Sequence, residues 1–222
     1  MIKINNTIVS HGEQWKSLIL GARNAMNSWD KSDSGWVDFE DWDCGHGIPD
    51  GVGNAFVVGP NDLDLMQRLV KAGTDHRKFM RMIVVYVDIT APLYWWKEAD
   101  TYSVGVVKNS CSTMHKIHTK TFEASDFSCE NMDADTFNVF TDILEVLEEK
   151  RYEYCVGKDK NKWYSIIQLL PSSYNQKRTV MLNYEVLRNM YHSRKNHKLY
   201  EWRELCSWIE QLPYAKELIC NE

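Results

Sequence analysis

The segment NSCSTMHK, from Asn109 to Lys116, places two serines, a cysteine and a histidine close together along the chain. A serine or cysteine activated by a histidine is the arrangement that nucleophilic catalysis requires. A nucleophile and a base three or four residues apart rarely meet unless they share a helix, and no third group that would orient His115 is evident. The pattern therefore favours a polar loop with a buried cysteine over a catalytic triad.

A metal site is the second chemistry that this segment could support. Cys111, His115 and His118 have the spacing of one helical face, which would present them to a common ion. No second pair of ligands stands out elsewhere, because CGHG at Cys44–Gly47 is a weak partner. We therefore predict that the protein holds no metal ion.

Two other stretches carry polar groups that could bind a ligand. WWKEADTY sets Lys97 beside Glu98 after two tryptophans, although a charged turn on an aromatic base explains the same residues. A C-terminal helix would carry Asn189 and Arg194 on different sides, since five residues turn a helix by about 140°. Taken alone, neither stretch indicates a function.

The composition limits the classes of protein that fit. Hydrophobic residues make up 44% and aromatic residues 12% of the 222 residues, which is too much apolar surface for a disordered chain. No apolar run approaches the roughly eighteen residues of a membrane helix, and the N-terminal segment lacks the apolar core of a secretory signal. We therefore expect a cytoplasmic protein that does not associate with membranes.

Charge and cysteine content narrow the choice further. The net charge of -5 argues against nonspecific binding to nucleic acid, although one or two arginines in a pocket can still hold a phosphate. Six cysteines are scattered along the chain without a CxxC pair. This distribution predicts free and mostly buried thiols.

The N-terminal half of the chain contains a loop, a helix and a strand that can be read from its pattern. Residues 28–54 are rich in Gly, Asp and Ser and contain three tryptophans, so we predict a long irregular loop. Apolar residues at helical spacing predict a helix that follows a cap at Asn61 or Asp62 and stops at Gly73. The run RMIVVYVDI, residues 81–89, predicts a buried strand.

The C-terminal half adds helices. An amphipathic helix is predicted over 134–150, and the apolar run over 163–171 is most simply a strand or buried segment. From Thr179, helical periodicity continues almost to the end, with a break near KNHK. These elements predict a mixed α/β fold in one domain, residues 1–222, with a central sheet flanked by helices.

The order and spacing of four blocks resemble the flavin-dependent thymidylate synthases along nearly the whole chain. Gly21–Ser32 resembles the family's early Ala-Arg helix, and Leu65–Pro92 resembles its helix, Gly-His turn and following strand. LYWWKEADTYSVGVVKNSCSTMHK falls where the family has a Gln-Trp ahead of Arg-His-Arg and then an Asn-Glu-x-Ser-x-Arg-Tyr loop. LLPSSYNQKRTVMLNYEVLRNMYHSR keeps the family's Leu-Pro, the Asn183 that opens the last long helix, and then Asn189 and Arg194 at the family's spacing.

This resemblance implies a cofactor and a reaction. Members of the family are homotetramers of an α/β fold with FAD at the subunit interfaces. They convert dUMP to dTMP with methylenetetrahydrofolate as carbon donor and NADPH as reductant. The resemblance therefore implies FAD, both co-substrates and a pyrimidine deoxynucleotide as the ligands of this chain.

The resemblance also implies roles for individual residues. Arg194 would stabilise charge on the uracil ring, and Ser112 would contact the nucleotide through its hydroxyl and backbone amide, so these two are the implied catalytic residues. The implied cofactor-binding residues are Lys97, Glu98, Asn189 and His76. The implied substrate-binding residues are Tyr94, Asn109, Ser110, Ser112, Thr113 and Arg194. Trp95 and Trp96 would supply stacking and shape.

Several positions depart from the family pattern. Glu98 and Ala99 replace the His-Arg pair, Ser110 replaces the loop glutamate, Met114 replaces the loop arginine, and Ile167 replaces the arginine before Leu-Pro. The cations that could compensate for the lost arginines are Arg194, Lys97, Lys108, Lys116 and Arg77.

Three interpretations follow from these departures. The first is a divergent enzyme that methylates dUMP or alkylates a related pyrimidine nucleotide at C5. The second is a nucleotide- or partner-binding protein that keeps the fold without the catalysis, and the third is an unrelated fold with chance matches.

Overall fold

The computed structural model describes residues 2–38 and 47–221 of the chain. The strands are β1 (Lys3–Val9), β2 (Gly35–Asp38), β3 (Ile48–Pro49), β4 (Asn54–Val57), β5 (Val84–Pro92), β6 (Val107–Ser110) and β7 (Asn175–Asn183). The helices are α1 (Gly12–Arg23), α2 (Pro60–Lys71), α3 (Leu93–Ala99), α4 (Ala134–Gly157), α5 (Lys160–Leu169), α6 (Tyr184–Arg194) and α7 (Tyr200–Ile209). This mixture of strands and helices confirms the predicted α/β class.

The strands form two sheets, one of four strands in the order β1-β5-β7-β6 and one of three strands in the order β2-β4-β3. In the smaller sheet β4 is antiparallel to both neighbours, so that Phe56 lies opposite Trp36 on one side and Ile48 on the other. Phe56 is fully buried, and the Trp36 ring meets it edge-on at 5.5 Å. The irregular loop predicted over 28–54 is therefore wrong in part, and its residues 39–46 lie outside the described residues.

The chain divides into two compact units, each assembled from separate stretches. The first unit contains the N-terminal residues up to Asn5, Asp88–Thr101 and Lys108–Thr179. The second unit contains Asn6–Val87, Tyr102–Val107 and the chain from Val180 onward. The single domain over residues 1–222 remains a prediction.

Helix α2 follows the pattern that predicted it. It begins at Pro60, because a proline at the first helical position gives up only an N–H that would have no helical partner. Its buried face consists of Asp62, Leu65, Met66, Leu69 and Val70. The helix ends before Gly73, which adopts a φ of +104° that favours glycine. The observed cap, Gly59, lies two or three residues before the predicted one, and the predicted end is correct within two residues.

Strand β5 is displaced from its predicted position. A short 3-10 helix occupies Lys78–Arg81, and the strand begins at Val84 and continues to Pro92. Alternate residues from Val85 to Ala91 are buried, which is the burial period of a strand. The strand ends at Pro92, where α3 begins.

The strand or buried segment predicted over 163–171 is wrong, because residues 163–169 belong to helix α5 and only Ile166 among them is buried. Asp159 caps the helix by accepting the N–H of Asn161 at 2.9 Å. Ile166 lies in a buried cluster with Phe140 and Leu147 of α4, and Ile167 packs against the same cluster. A short apolar run fits either a strand or a helix, and here packing against α4 decides the outcome.

The predicted helix from Thr179 is also wrong over its first residues. Strand β7 extends to Asn183, with Gln176, Val180 and Leu182 buried. Helix α6 then begins at Tyr184, and Asn183 caps it by accepting the N–H of Val186 at 3.1 Å. The predicted break near KNHK is confirmed, since α6 ends at Arg194 and α7 begins at Tyr200.

The cysteines are free, but they are less buried than predicted. Of the five that lie among the described residues, only Cys206 is buried, while Cys111 is exposed. Cys44 lies outside the described residues, as does most of the CGHG stretch.

A buried ion pair fixes the start of α2 within the second unit. The carboxylate of Asp62 is fully buried and accepts Nε of Arg23 at 2.5 Å. Its other oxygen accepts the hydroxyls of Ser32 and Ser34 at 2.8 and 2.6 Å. Burial raises the pKa of Asp62, but the hydrogen bonds from Ser34, Ser32 and Arg23 together lower it below its ordinary value.

The substitution Asp62→Asn should lower the free energy of unfolding by about 3 kcal/mol, because it leaves Arg23 buried without a countercharge. Urea unfolding followed by circular dichroism at pH 7 measures the loss. A matched control is Asp64→Asn on the same helix, whose exposed pair with Arg68 should contribute less than about 0.5 kcal/mol. Equal losses for the two substitutions would contradict this account.

The same carboxylate makes stability depend on pH. The folded pKa of Asp62 is lowered, so its contribution is complete above the unfolded pKa of about 3.9 and disappears as the pH falls through the folded value. The stability difference between the unmodified chain and Asp62→Asn should therefore shrink below about pH 4. A difference that stays constant down to about pH 2 would contradict the assignment.

Candidate functional site

The residues predicted to bind ligands are divided between the two units. The first unit contains Tyr94, Lys97, Glu98, Asn109, Ser110, Ser112 and Thr113. The second unit contains His76, Asn189 and Arg194.

The NSCSTMHK segment begins with the last two residues of β6, Asn109 and Ser110, and continues as a polar loop. Asn109, Ser110 and Ser112 are exposed, and Thr113 is half-buried. The hydroxyl oxygen of Ser112 accepts the backbone N–H of His115 at 2.8 Å, so it closes a local turn. This contact involves the backbone of His115, which supports the polar loop over a serine nucleophile with a histidine base.

Backbone contacts hold this loop at both ends. Cys111 donates its N–H to the carbonyl of Lys177 at 2.9 Å, and its carbonyl accepts Nε2 of Gln176 at 2.7 Å. Further along, the carbonyl of Met114 accepts the indole N–H of Trp163 at 2.9 Å. The Ser112 hydroxyl keeps its own proton to donate, because its oxygen acts only as acceptor in the turn.

Helix α3 carries the predicted aromatic and charged residues. Trp95 and Trp96 are buried, and their rings meet edge-on at 4.8 Å. The expectation that these two rings stack on a ligand is therefore wrong, because they form core. Lys97 is exposed, whereas Tyr94 and Glu98 are half-buried.

An ion network beside α3 was missed by the sequence analysis. Nη1 of Arg178 donates to both carboxylate oxygens of Asp100 at 2.9 and 3.2 Å, and Nζ of Lys108 donates to the same carboxylate at 2.9 Å. The guanidinium of Arg178 also lies 4.2 Å from the centre of the Trp96 ring. No element was predicted for Arg178, and only the alternation of strand β7 sets it beside Gln176.

Helix α6 presents the two most distinctive predicted residues of the second unit. Asn189 is exposed, while Arg194 in the last turn is half-buried. The guanidinium of Arg194 lies 4.8 Å from the Trp202 ring centre and 5.8 Å from the Tyr102 ring centre. Its Nε also donates to the Tyr102 hydroxyl at 3.2 Å. Two aromatic side chains therefore fix the position of this cation.

Tyr102 and Trp202 were not predicted as parts of the site. Tyr102 lies far from Arg194 in the sequence and Trp202 lies in the next helix, and their rings meet at 5.9 Å in the structure. A cation and two rings drawn from separate segments give no local pattern. Only the assembled unit shows the arrangement.

The structure removes Arg77 from the cations available to a ligand. Its Nε donates to both carboxylate oxygens of Glu185 at 2.9 and 3.1 Å, and both side chains are largely buried. His76, its neighbour, is exposed in the turn that follows α2. Among the predicted compensating cations, Lys108 is likewise engaged, through Asp100.

Within residues 2–38 and 47–221, no group of three or more His, Cys, Asp or Glu side chains is arranged to hold a metal ion. In the same part of the chain, no helix is both long and apolar enough to cross a membrane.

The chain matches known proteins in structure but not in sequence. No family model matches the chain, and no curated protein matches it. The chain is similar to thymidylate synthase X from Helicobacter pylori, solved with FAD and dUMP, with a TM-score of 0.67 and 15% identity over 99% of this chain and 97% of the other. A second structure of the flavin-dependent thymidylate synthase from Helicobacter pylori, complexed with FAD and dUMP, gives a TM-score of 0.65 and 16% identity over 98% and 97% of the two chains.

The likeness spans nearly the entire length of both chains, so it concerns the whole architecture. Identity of 15–16% is too low to carry residue roles across. The structural likeness nevertheless confirms, for the fold, the resemblance that was drawn from the four sequence blocks. The chain therefore has the fold of the flavin-dependent thymidylate synthases.

Proposed function

We propose that the protein catalyses an FAD-dependent methylation of dUMP to dTMP, or a C5 alkylation of a related pyrimidine nucleotide, with methylenetetrahydrofolate as carbon donor and NADPH as reductant. The full-length likeness to structures that hold FAD and dUMP supports the proposal. The observation that carries it is the position of Arg194, a cation held by Tyr102 and Trp202. The proposal includes a homotetramer and a cytoplasmic location.

The residues expected at the flavin have the chemistry that its ring requires. The polar edge of a flavin ring offers carbonyl oxygens and ring nitrogens, which call for both donors and acceptors. The side-chain amide of Asn189 supplies both, and Lys97 and His76 supply polar groups. These three side chains are exposed and make no hydrogen bond within the part of the chain that the structure describes. When bound, the reduced flavin would supply the electrons that convert the added one-carbon group into a methyl group.

Arg194 would act by electrostatics. A fixed cation beside the carbonyl groups of a pyrimidine stabilises negative charge that develops on the ring when a group adds to it. The contacts with Tyr102 and Trp202 fix the guanidinium before the ligand arrives, so little reorganisation is required. This role requires no protein nucleophile, in agreement with the Ser112 hydroxyl closing a turn.

The loop after β6 would orient the nucleotide. Asn109, Ser110 and Ser112 present polar groups on an exposed segment that contacts with β7 hold in place. The free proton of the Ser112 hydroxyl can be donated to an oxygen of the ligand. Thr113 and Tyr94, both half-buried, would complete the substrate contacts, and Glu98 would lie near the flavin.

The substitution Arg194→Ala should lower the rate of methyl transfer to dUMP by at least about a hundredfold, because it removes the fixed cation. The measurement is formation of dTMP with FAD, NADPH and methylenetetrahydrofolate. Arg203→Ala is a matched control, since Arg203 on α7 is exposed and lies over the Tyr200 ring at 5.7 Å. Full activity of Arg194→Ala would contradict the assignment, whereas Arg203→Ala should keep its activity.

A second function is favoured by one specific observation. Ile167 stands where the family has an arginine, and it packs against the apolar cluster of α4 and α5, so this position offers no charge to a phosphate. The fold could therefore serve a protein that binds a nucleotide or a partner without catalysis. Calorimetry with dUMP, dCMP and FAD separates the two functions. Nucleotide binding without turnover supports the second function, and measurable methyl transfer excludes it.

A further inference from the structure

A pocket of about 430 Å³ opens in the first unit between the end of the NSCSTMHK loop and the turn that joins α4 to α5. Its wall includes His115, His118, Tyr154, Lys158, Lys160 and Trp163. The wall thus combines two ammonium groups, two imidazoles and two large aromatic rings. This mixture suits a ligand that has both negative charge and a flat ring.

The carboxylates of α4 near this turn are already paired with other cations. Glu148 accepts Nε of Arg151 at 2.9 and 2.8 Å. Glu153 accepts Nζ of Lys150 at 3.2 Å and Nζ of Lys162 at 2.8 Å. These contacts leave neither carboxylate to neutralise the pocket.

The two lysines of the pocket have only aromatic partners. Nζ of Lys158 lies 5.5 Å from the Tyr154 ring centre, and Nζ of Lys160 lies 5.7 Å from the Tyr164 ring centre. Within residues 2–38 and 47–221, neither ammonium group forms an ion pair. Asp159 stands between them in the chain, but its side chain caps α5. Among the described residues, these two cations therefore line the pocket without an ion pair.

The backbone at the turn is unusual for a lysine. Lys158 has a φ of 53° and a ψ of 25°, a left-handed conformation that Gly and Asn adopt more readily at the end of a helix. Lysine at this position is therefore unfavourable for the turn itself. Lys160 begins α5, so the positive end of that helix lies at the same place.

The aromatic wall is held in place by the loop. Trp163 is fixed through its indole N–H to Met114, and the Tyr154 ring meets the His118 ring edge-on at 4.8 Å. Nδ1 of His118 is buried and has no hydrogen-bond partner among the described residues. Burial, followed by the charges of Lys158, Lys116 and Arg151, lowers the pKa of His118, so the ring is neutral at neutral pH.

We propose that this pocket binds the phosphate group of a nucleoside monophosphate, which Lys158 and Lys160 would hold. The inference rests on the proposed function only for the identity of the base, which that function makes a pyrimidine. The two are connected because Met114, which lines the pocket, and Ser112, a proposed nucleotide contact, belong to the same loop. The two lysines would then supply the charge that Met114 and Ile167 do not supply. The phosphate site itself requires neither flavin nor turnover.

Calorimetry on the full chain without FAD tests the inference with dUMP, AMP, deoxyuridine and inorganic phosphate as probes. The variants are Lys158→Asn, which keeps a residue suited to the left-handed turn, and Lys160→Gln. Lys162→Gln is the matched control, because its ammonium is on the same helix but is paired with Glu153. Thermal unfolding checks the fold, and Lys158→Asn should be at least as stable as the unmodified chain.

We expect dUMP to bind the unmodified chain and deoxyuridine to bind far more weakly. Each of Lys158→Asn and Lys160→Gln should weaken dUMP binding about tenfold, while Lys162→Gln should leave it unchanged. Equal dUMP affinity in the unmodified chain and in both lysine variants would overturn the phosphate site and leave the proposed function intact. Lysine-dependent binding of AMP without binding of dUMP would support the pocket and overturn the pyrimidine function. If none of the four probes binds, the pocket inference is wrong.

Discussion

The guanidinium of Arg194 over the Trp202 ring is the contact on which the proposed chemistry depends. It joins the last turn of α6 to the first turn of α7, and the bond from Arg194 to Tyr102 adds the loop 102–107. The same loop approaches the start of α6, because a Cβ at Gly105 would lie 3.1 Å from Nδ2 of Asn183. Gly105 has a φ of +75°, a conformation in which a side chain is strained. The two ends of α6 are thus both fixed by one short loop.

This protein could bind an anion only through a few cations held in fixed positions, because it has no excess of positive charge. Its net charge is -5, and several cations that sequence reasoning offered to a ligand are engaged within the fold. Arg77 is paired with Glu185, and Lys108 is paired with Asp100. Binding of an anion must therefore rely on a small number of cations in fixed positions. The ion pairs of neighbouring carboxylates matter as well, because a carboxylate that is already paired does not neutralise these cations.

Sequence patterns predicted the elements whose packing is local. Helix α2 has an apolar stripe and a glycine after its end, so it was placed within three residues. The run over 163–171 has no such signals, and its form depends on α4, which lies elsewhere in the sequence. The strand β7 was hidden because the helical period of α6 continues backward into it, and only the cap at Asn183 marks the change.

The candidate site shows the same division. Asn189 and Arg194 were found because they share one helix and keep a spacing, whereas Tyr102 and Arg178 were missed because their partners are distant in sequence. Trp202 was missed because its partner lies on a different helix. Lys158 and Lys160 were missed for another reason: a charged turn between helices has no distinctive pattern. Their importance depends on which carboxylates nearby are already paired, and a sequence does not show that.

The most direct test of the central claim is the visible absorption spectrum of FAD titrated with the purified protein. Our account predicts saturable binding with a shifted and structured band near about 450 nm, because transfer of the flavin ring into a protein site changes its surroundings. The substitution Asn189→Ala should weaken that binding, since it removes the amide expected at the ring. An FAD spectrum that is unchanged at saturating protein would contradict the flavin-dependent function and leave a fold that serves another purpose.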